Sequence, residues 1–323
     1  MQYKKVCVVH TVYALLQYLL LVSEEEYNYT LFFIGIDAIR EDVYKNLPNY
    51  ILFDDTKYKS RKKTFWLRIY KWMYWNKCIE HATFYCQDHL YFPSIIIGHK
   101  KYNLLEDGSQ IYSRYKGGPL AHIVPCSDLI DWIARAPIYG KTLGRNSQCN
   151  TIYYTYAGDA ASDIVINHKN EHIFLQEMWN DSSITKQKAI NYIYNISEQL
   201  LFRLGCAETI ILTDSMVTNQ VLSEQELIEI YKPYIDKDVV IKKHPIDVVD
   251  YKKYFPHAII CEGYIPMQLL TLNHIAFKRA ITMFSTAVSL LDDSTLIIWL
   301  GNAGNIKVKE AFGDCPNPFI KNK

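Results

Sequence analysis

Short apolar runs alternate along the chain with longer amphipathic stretches, and many of the runs stop at a polar pair. The first run, Lys5–His10, leads into an apolar helical stretch, Val12–Val22, and a second run, Thr30–Gly35, follows. Strand, helix and strand in that order predict a parallel sheet with crossover helices. Ala82–Cys86, Ser94–Ile97 and Tyr102–Leu105 read as further strands of the same sheet. Residues 109–160 are rich in Gly, Ser and Tyr, lack periodicity, and read as loops and short helices. A long helix is expected over Ile184–Arg203, with Gly205 as its C-cap.

After Gly205 the rhythm restarts. Strands are expected at Thr209–Thr213, Val239–Lys242, Ala258–Cys261, Ala280–Phe284 and Thr295–Leu300, with helices at Glu224–Tyr231 and Met267–Leu272. The chain is therefore read as α/β, in two Rossmann-like domains, 1–204 and 205–323. Open parallel sheets bind ligands beyond the carboxyl ends of their strands, and paired halves enclose a central cleft. Neither G-x-G-x-x-G nor a P-loop string occurs, so the common dinucleotide and nucleotide-triphosphate fingerprints are missing.

Composition narrows the class. At 323 residues, 49% hydrophobic and 14% aromatic, the chain is globular and long enough for two cores. With 35 basic and 34 acidic residues the net charge is +1, which argues against a dedicated nucleic-acid binder. The eight cysteines are scattered without a C-x-x-C pair and read as reduced thiols of a cytosolic protein. Cys78, His81, Cys86 and His89 have a zinc-like spacing, but a strand is expected through Cys86, so no metal is assigned. Residues 6–22 follow two lysines like a signal sequence. His10, Thr11 and Gln17 interrupt the run and no small-residue cleavage site follows, so neither a leader nor a membrane span is expected.

The residues that end the strands carry the candidate chemistry. Glu106-Asp107-Gly108 follows Tyr102–Leu105, Asp214 follows Thr209–Thr213, and Lys243-His244-Pro245 follows Val239–Lys242. Glu262-Gly263 follows Ala258–Cys261, and Ser285-Thr286 follows Ala280–Phe284. Singly these are ordinary turns and caps. Five together, each at the ligand-binding end of a strand, point to a site.

These strings resemble those of the bacterial sialyltransferases grouped as glycosyltransferase family 52. The resemblance rests on LLEDGSQ (Leu104–Gln110), ILTDS (Ile211–Ser215), KKHP (Lys242–Pro245), IICEGY (Ile259–Tyr264) and TMFSTAVSLL (Thr282–Leu291). The opening VVHTVYALLQYL and CQDHLYFPSI (Cys86–Ile95) are also similar to the family's. It implies a GT-B type fold whose two parallel sheets face a central cleft. It also implies inverting, metal-independent transfer of sialic acid from CMP-sialic acid to a sugar hydroxyl, with no cofactor. The acceptor would be the terminal galactose of a lipooligosaccharide or capsule glycan, lipid-linked or free.

The resemblance gives His244 the departing phosphate, and a histidine with an ordinary pKa of about 6.5 suits that role. Ser285 and Thr286, opening a helix, would present hydroxyls and N–H groups to the same phosphate. Glu262 would accept from ribose hydroxyls, with Lys243, Pro245 and Gly263 completing the donor site. Asp214 is taken as the base ahead of Asp107 and Glu106, while Gly108, Thr11 and Tyr13 fall to the acceptor side. A donor other than CMP-sialic acid, or a silent nucleotide-binding partner in a glycan assembly complex, are the alternative readings. A homodimer through the first domain is also implied.

Asp236-Lys237-Asp238 matches a metal-binding D-x-D formally but lies in a polar turn. Residues 57–77 hold eight Lys/Arg, seven aromatics and no acid. They are expected to meet a membrane surface through Lys59, Arg61, Lys62, Lys63, Trp66, Trp72 and Trp75, with Trp75 facing away from the Trp66 stripe. The expected location is cytoplasmic, peripheral on the inner face of the plasma membrane.

Overall fold

The computed structural model describes residues 2–36, 39–55, 57, 61–106, 144, 147–155 and 169–317, and only the backbone of Arg61, Thr64, Tyr91 and Lys169. The chain divides into two compact units, Met1–Asn195 and Ile196–Lys323.

The first unit is a seven-stranded sheet. Its strands are β1 (Lys5–Val9), β2 (Thr30–Gly35), β3 (Tyr50–Phe53), β4 (Thr83–Cys86), β5 (Tyr102–Leu104), β6 (Cys149–Tyr154) and β7 (Lys169–His172). They lie in the order β3-β2-β1-β4-β5-β6-β7, every pair parallel. β1 and β2 are buried along almost their whole length, as parallel strands covered on both faces must be. The helix Val12–Leu21 makes the crossover between them, capped by the Thr11 hydroxyl, which accepts from Ala14 N–H at 3.2 Å. The chain leaves β1 for β2 on one side and returns to β4 on the other, so the topological switch point lies between β1 and β4.

The second unit is a five-stranded parallel sheet of β8 (Thr209–Leu212), β9 (Val239–Lys242), β10 (Ile259–Cys261), β11 (Arg279–Thr282) and β12 (Leu296–Trp299). The order is β10-β9-β8-β11-β12, with the switch point between β8 and β11. Leu212 pairs with both Lys242 and Thr282, and Lys242 pairs with Cys261. Residues two positions past these ends therefore stand at one level: Asp214, His244, Gly263 and Phe284.

Three expectations change. Ser94–Ile97 is not a strand but the end of a helix, Tyr91–Ile97, closed by Gly98 at φ 61°. A short apolar run has no decisive period, and Pro93 inside with Gly98 just outside was the helical signal. The helix over Ile184–Arg203 is two helices, Ile184–Ile193 and Glu198–Gly205. Asn195 takes the left-handed conformation at φ 55°, and the Ser197 hydroxyl caps the second helix by accepting from Leu200 N–H at 3.1 Å. Gly205 is its last helical residue rather than its cap. Of 109–160, the described part includes β6, and β7 follows from a polar KNEH run that carries no apolar signal.

Among the described residues no helix is long and apolar enough to cross a membrane, and all seven cysteines are unpaired. No group of three or more His, Cys, Asp or Glu among them is placed to hold a metal ion. Asp236, the first acid of the D-x-D string, precedes β9 at the amino edge of the sheet and pairs there with Arg279 at 2.6 Å.

Candidate active site

The second unit gathers its candidate residues at the carboxyl edge. Asp214 lies two residues beyond β8 at the switch point, 6% exposed, and its Oδ2 accepts from Phe284 N–H at the end of β11, at 3.5 Å. Burial pushes its carboxyl up to about 7, and the nearby Asp247 adds to the rise. A carboxylate held near neutrality can take a proton and release it again.

His244 is fixed through its backbone. Its N–H donates to the Thr213 hydroxyl at 3.0 Å, and its carbonyl accepts from Asp247 N–H at 2.9 Å. The imidazole is half-buried, and that burial, with Lys242 beside it, lowers its pKa. Nδ1 accepts from Ile246 N–H at 3.4 Å. In the neutral ring this leaves the proton on Nε2, free to be donated outward.

Asp247, which the sequence reading did not single out, holds this turn together. It is buried and accepts from the Thr213 hydroxyl at 2.6 Å, the Tyr251 hydroxyl at 2.9 Å and Val249 N–H at 3.0 Å. Gly263 is required by the same turn. A Cβ there would stand 2.6 Å from the His244 carbonyl oxygen and 2.9 Å from the Pro245 Cα. Pro245 is exposed, and Lys243 reaches Glu262 at 3.9 Å.

Ser285 caps a five-residue 3₁₀ turn, Thr286–Leu290, its hydroxyl accepting from Ala287 N–H at 3.4 Å. Thr286 is exposed. The turn is too short for the dipole of a full helix, so its contribution comes from hydroxyls and N–H groups alone.

The first unit has its own polar cluster at the carboxyl edge. Glu106, 3% exposed, accepts from Thr155 N–H at 2.7 Å, from the Thr155 hydroxyl at 2.9 Å and from Gln17 Nε2 at 3.4 Å. Tyr13 shares a 2.8 Å hydrogen bond with the Thr155 hydroxyl, and burial raises its pKa. At the switch point, Gln87 Oε1 accepts from His10 and Thr11 N–H at 2.6 and 3.2 Å. Gln17, Gln87 and Thr155 were missed because nothing local marks them. Asp107 and Gly108 lie outside the described residues.

In the basic segment the structure gives helix Arg61–Tyr70, a π-turn Lys71–Trp75 and a short helix Asn76–Ile79. Trp66 and Trp72 are exposed, as are Lys62 and Lys63. Trp75 lies opposite the exposed Trp66 stripe, as the helical spacing sets it, but this removes it from the expected membrane contacts: it is half-buried, edge-on to Phe33 at 5.1 Å. Lys59 and the Arg61 side chain lie outside the described residues.

The sequence model of glycosyltransferase family 52 matches residues 36–295. An uncharacterised protein of Haemophilus influenzae is 27% identical over 215 residues, 65% of this chain and 65% of that protein, so the match spans just under two thirds of the relative. Among solved structures, the GT-B domain of a Photobacterium damselae sialyltransferase superimposes with a TM-score of 0.57 at 13% identity, covering 92% of this chain and 89% of that one. A 2,6-sialyltransferase of Photobacterium sp. JT-ISH-224, solved with CMP and lactose, gives 0.57 at 11% identity over 91% and 70% of the two chains. An α/β-galactoside α-2,3-sialyltransferase of Photobacterium phosphoreum gives 0.55 at 13% over 92% and 90%. At such identities the likeness is one of fold, the GT-B architecture of two parallel-sheet units. The family match covers most of the chain, and the chain belongs to glycosyltransferase family 52.

Proposed function

We propose that the protein transfers sialic acid from CMP-sialic acid to a sugar hydroxyl of a bacterial surface glycan, with inversion and without a metal. The observation that carries this reading is Asp214. It is a buried carboxylate at the switch point of the second sheet, held at about 7 and level with His244, in a chain of a glycosyltransferase family.

In this reading the acceptor hydroxyl attacks the anomeric carbon from the face opposite CMP. The bond from that carbon to the phosphate oxygen breaks, its electron pair leaving with the phosphate, through an oxocarbenium-like state. Asp214 takes the hydroxyl proton. His244 Nε2–H donates to the departing phosphate oxygen, and Ser285 and Thr286 add hydroxyl and N–H donors. Glu262 accepts from the ribose hydroxyls, with Lys243 beside it. A single phosphate carries less charge than the diphosphate that D-x-D enzymes bridge with a metal, which supports metal independence.

The first unit is assigned the acceptor. Glu106 is spent on Thr155 and Gln17, so it acts as a positioning residue for the Tyr13–Thr155 cluster. Two structural neighbours, one named for galactosides and one holding lactose, support a galactose-terminated acceptor. The test is turnover of CMP-sialic acid with lactose in EDTA. His244→Ala and Asp214→Asn are each expected to lower kcat by about 10² or more. Turnover of UDP-sugars alone, or CMP binding without turnover, would overturn the reading.

A further inference from the structure

Among the described residues, twenty large hydrophobic side chains are exposed, and six of them fall between residues 65 and 74: Phe65, Trp66, Tyr70, Trp72, Met73 and Tyr74. Leu67, on the same helix, is buried and ties it to the first unit's core. The π-turn then swings three consecutive side chains, Trp72, Met73 and Tyr74, out to solvent. Such turns cost hydrogen-bond geometry and recur at functional positions. Between Lys63, Trp66, Tyr70 and Met73 lies an open hollow of about 560 Å³.

The charge around this apolar ridge has one sign. Lys62, Lys63 and Lys77 are exposed, and the sequence from 57 to 77 contains no Asp or Glu. The two preceding acids are engaged within the first unit: Asp55 accepts from Phe92 N–H at 2.8 Å and Asp54 is paired with Lys57 at 3.4 Å. Lys71 is turned inward, its Nζ donating to the Ile95 carbonyl at 3.0 Å. Exposed lysines flanking Trp and Tyr match the headgroup region of an anionic bilayer, where aromatic rings settle and phosphates meet ammonium groups. A second copy of this chain is a poorer fit, because a two-fold contact would bring the same lysines together.

We infer that residues 62–74 form a surface that docks on anionic phospholipid. The segment leaves β3 at the carboxyl edge of the first sheet, the edge that carries Glu106 and Thr155. The inference rests on the ridge and its charge, and stands whether or not the donor is CMP-sialic acid.

The test is co-sedimentation of the full chain with vesicles of phosphatidylglycerol and of phosphatidylcholine. Binding is expected to phosphatidylglycerol alone and to weaken at 0.5 M salt, as screening requires. Lys62→Gln with Lys63→Gln is expected to lower the partition coefficient about thirtyfold. Trp72→Ala is expected to lower it about tenfold with an unchanged melting temperature, since Trp72 is 72% exposed. Equal binding to both vesicle types, or none, overturns the proposal. So does a dimer in sedimentation analysis that Trp72→Ala converts to monomer, which would make the ridge an interface between copies. Because the wild-type lipid and salt series needs no variant, misfolding of a mutant leaves the test intact.

Discussion

The Thr213 hydroxyl donates to Asp247 Oδ2 at 2.6 Å while accepting from His244 N–H at 3.0 Å. One hydroxyl thus locks the end of β8 to the turn that follows β9, across 34 residues of sequence. The same carboxylate raises the pKa of Asp214 and opposes the lowering at His244. It acts as a positioning residue for both proposed catalytic groups.

Replacing it separates those effects. Asp247→Asn weakens the charge-assisted bonds to Thr213 and Tyr251 and is expected to lower kcat about tenfold. It also removes the like charge facing Asp214, so the acidic limb of the pH–rate profile should move to lower pH. A purely structural role would lower activity without moving that limb.

Asp214 makes a prediction for activity and stability together. Its folded pKa of about 7 lies above the ordinary 3.8, so folding favours the protonated form. Stability from this group is intact below pH 3.8, is lost as pH rises from there to about 7, and changes no further above. As a base Asp214 must be ionised, so kcat/KM of the wild type should fall below pH 7. Asp214→Asn should lower kcat by about 10² yet raise the melting temperature by about 3–6 °C at pH 8 and by little at pH 4. Scanning fluorimetry across that range, beside turnover, checks both signs.

Gly263 and Gly205 should respond oppositely to alanine. At Gly263 the new methyl meets backbone atoms of His244 and Pro245 inside 3 Å, which should cost about 1–3 kcal/mol and raise the KM for donor. At Gly205 the nearest atom is 3.8 Å away, on a side chain. Alanine at that helix end should gain up to about 0.5 kcal/mol. Denaturant melts of the two variants decide it.

In the first unit, Thr155→Val removes the hydroxyl that joins Tyr13 to Glu106. Acceptor KM is expected to rise about tenfold with donor KM unchanged, and Thr155→Ser should restore it. If Ser fails to rescue, the methyl rather than the hydroxyl matters, and the positioning role is wrong.

How far the sequence disclosed all this depends on how local the signal was. Three strands of the second sheet, β8, β9 and β10, are apolar runs that halt at polar residues, so Asp214, His244 and Glu262 could be placed at the carboxyl edge by reading alone. Asp247 and Thr213 could not, because their bond joins residues far apart and each looks like ordinary turn chemistry. Glu106 was legible as a site residue, but its commitment to Thr155 and Gln17 depends on β6, which lies in a patternless stretch. The break at Asn195 was written as Asn, then Ser-Glu, a left-handed stop followed by a cap, and the surrounding helical residues masked it. The helical spacing sets Trp75 opposite Trp66, on the side that packs on Phe33, so its place among the membrane contacts rested on composition alone.

The most direct test of the central claim is product formation from CMP-sialic acid and lactose in EDTA, with the anomeric configuration followed by NMR. The account predicts sialyl-lactose of inverted configuration with one CMP released per product, reduced about 10²-fold or more in Asp214→Asn. Full activity in Asp214→Asn with activity lost in Asp107→Asn would contradict the assignment of the base. Absence of transfer, with turnover of another nucleotide sugar, would contradict the function itself.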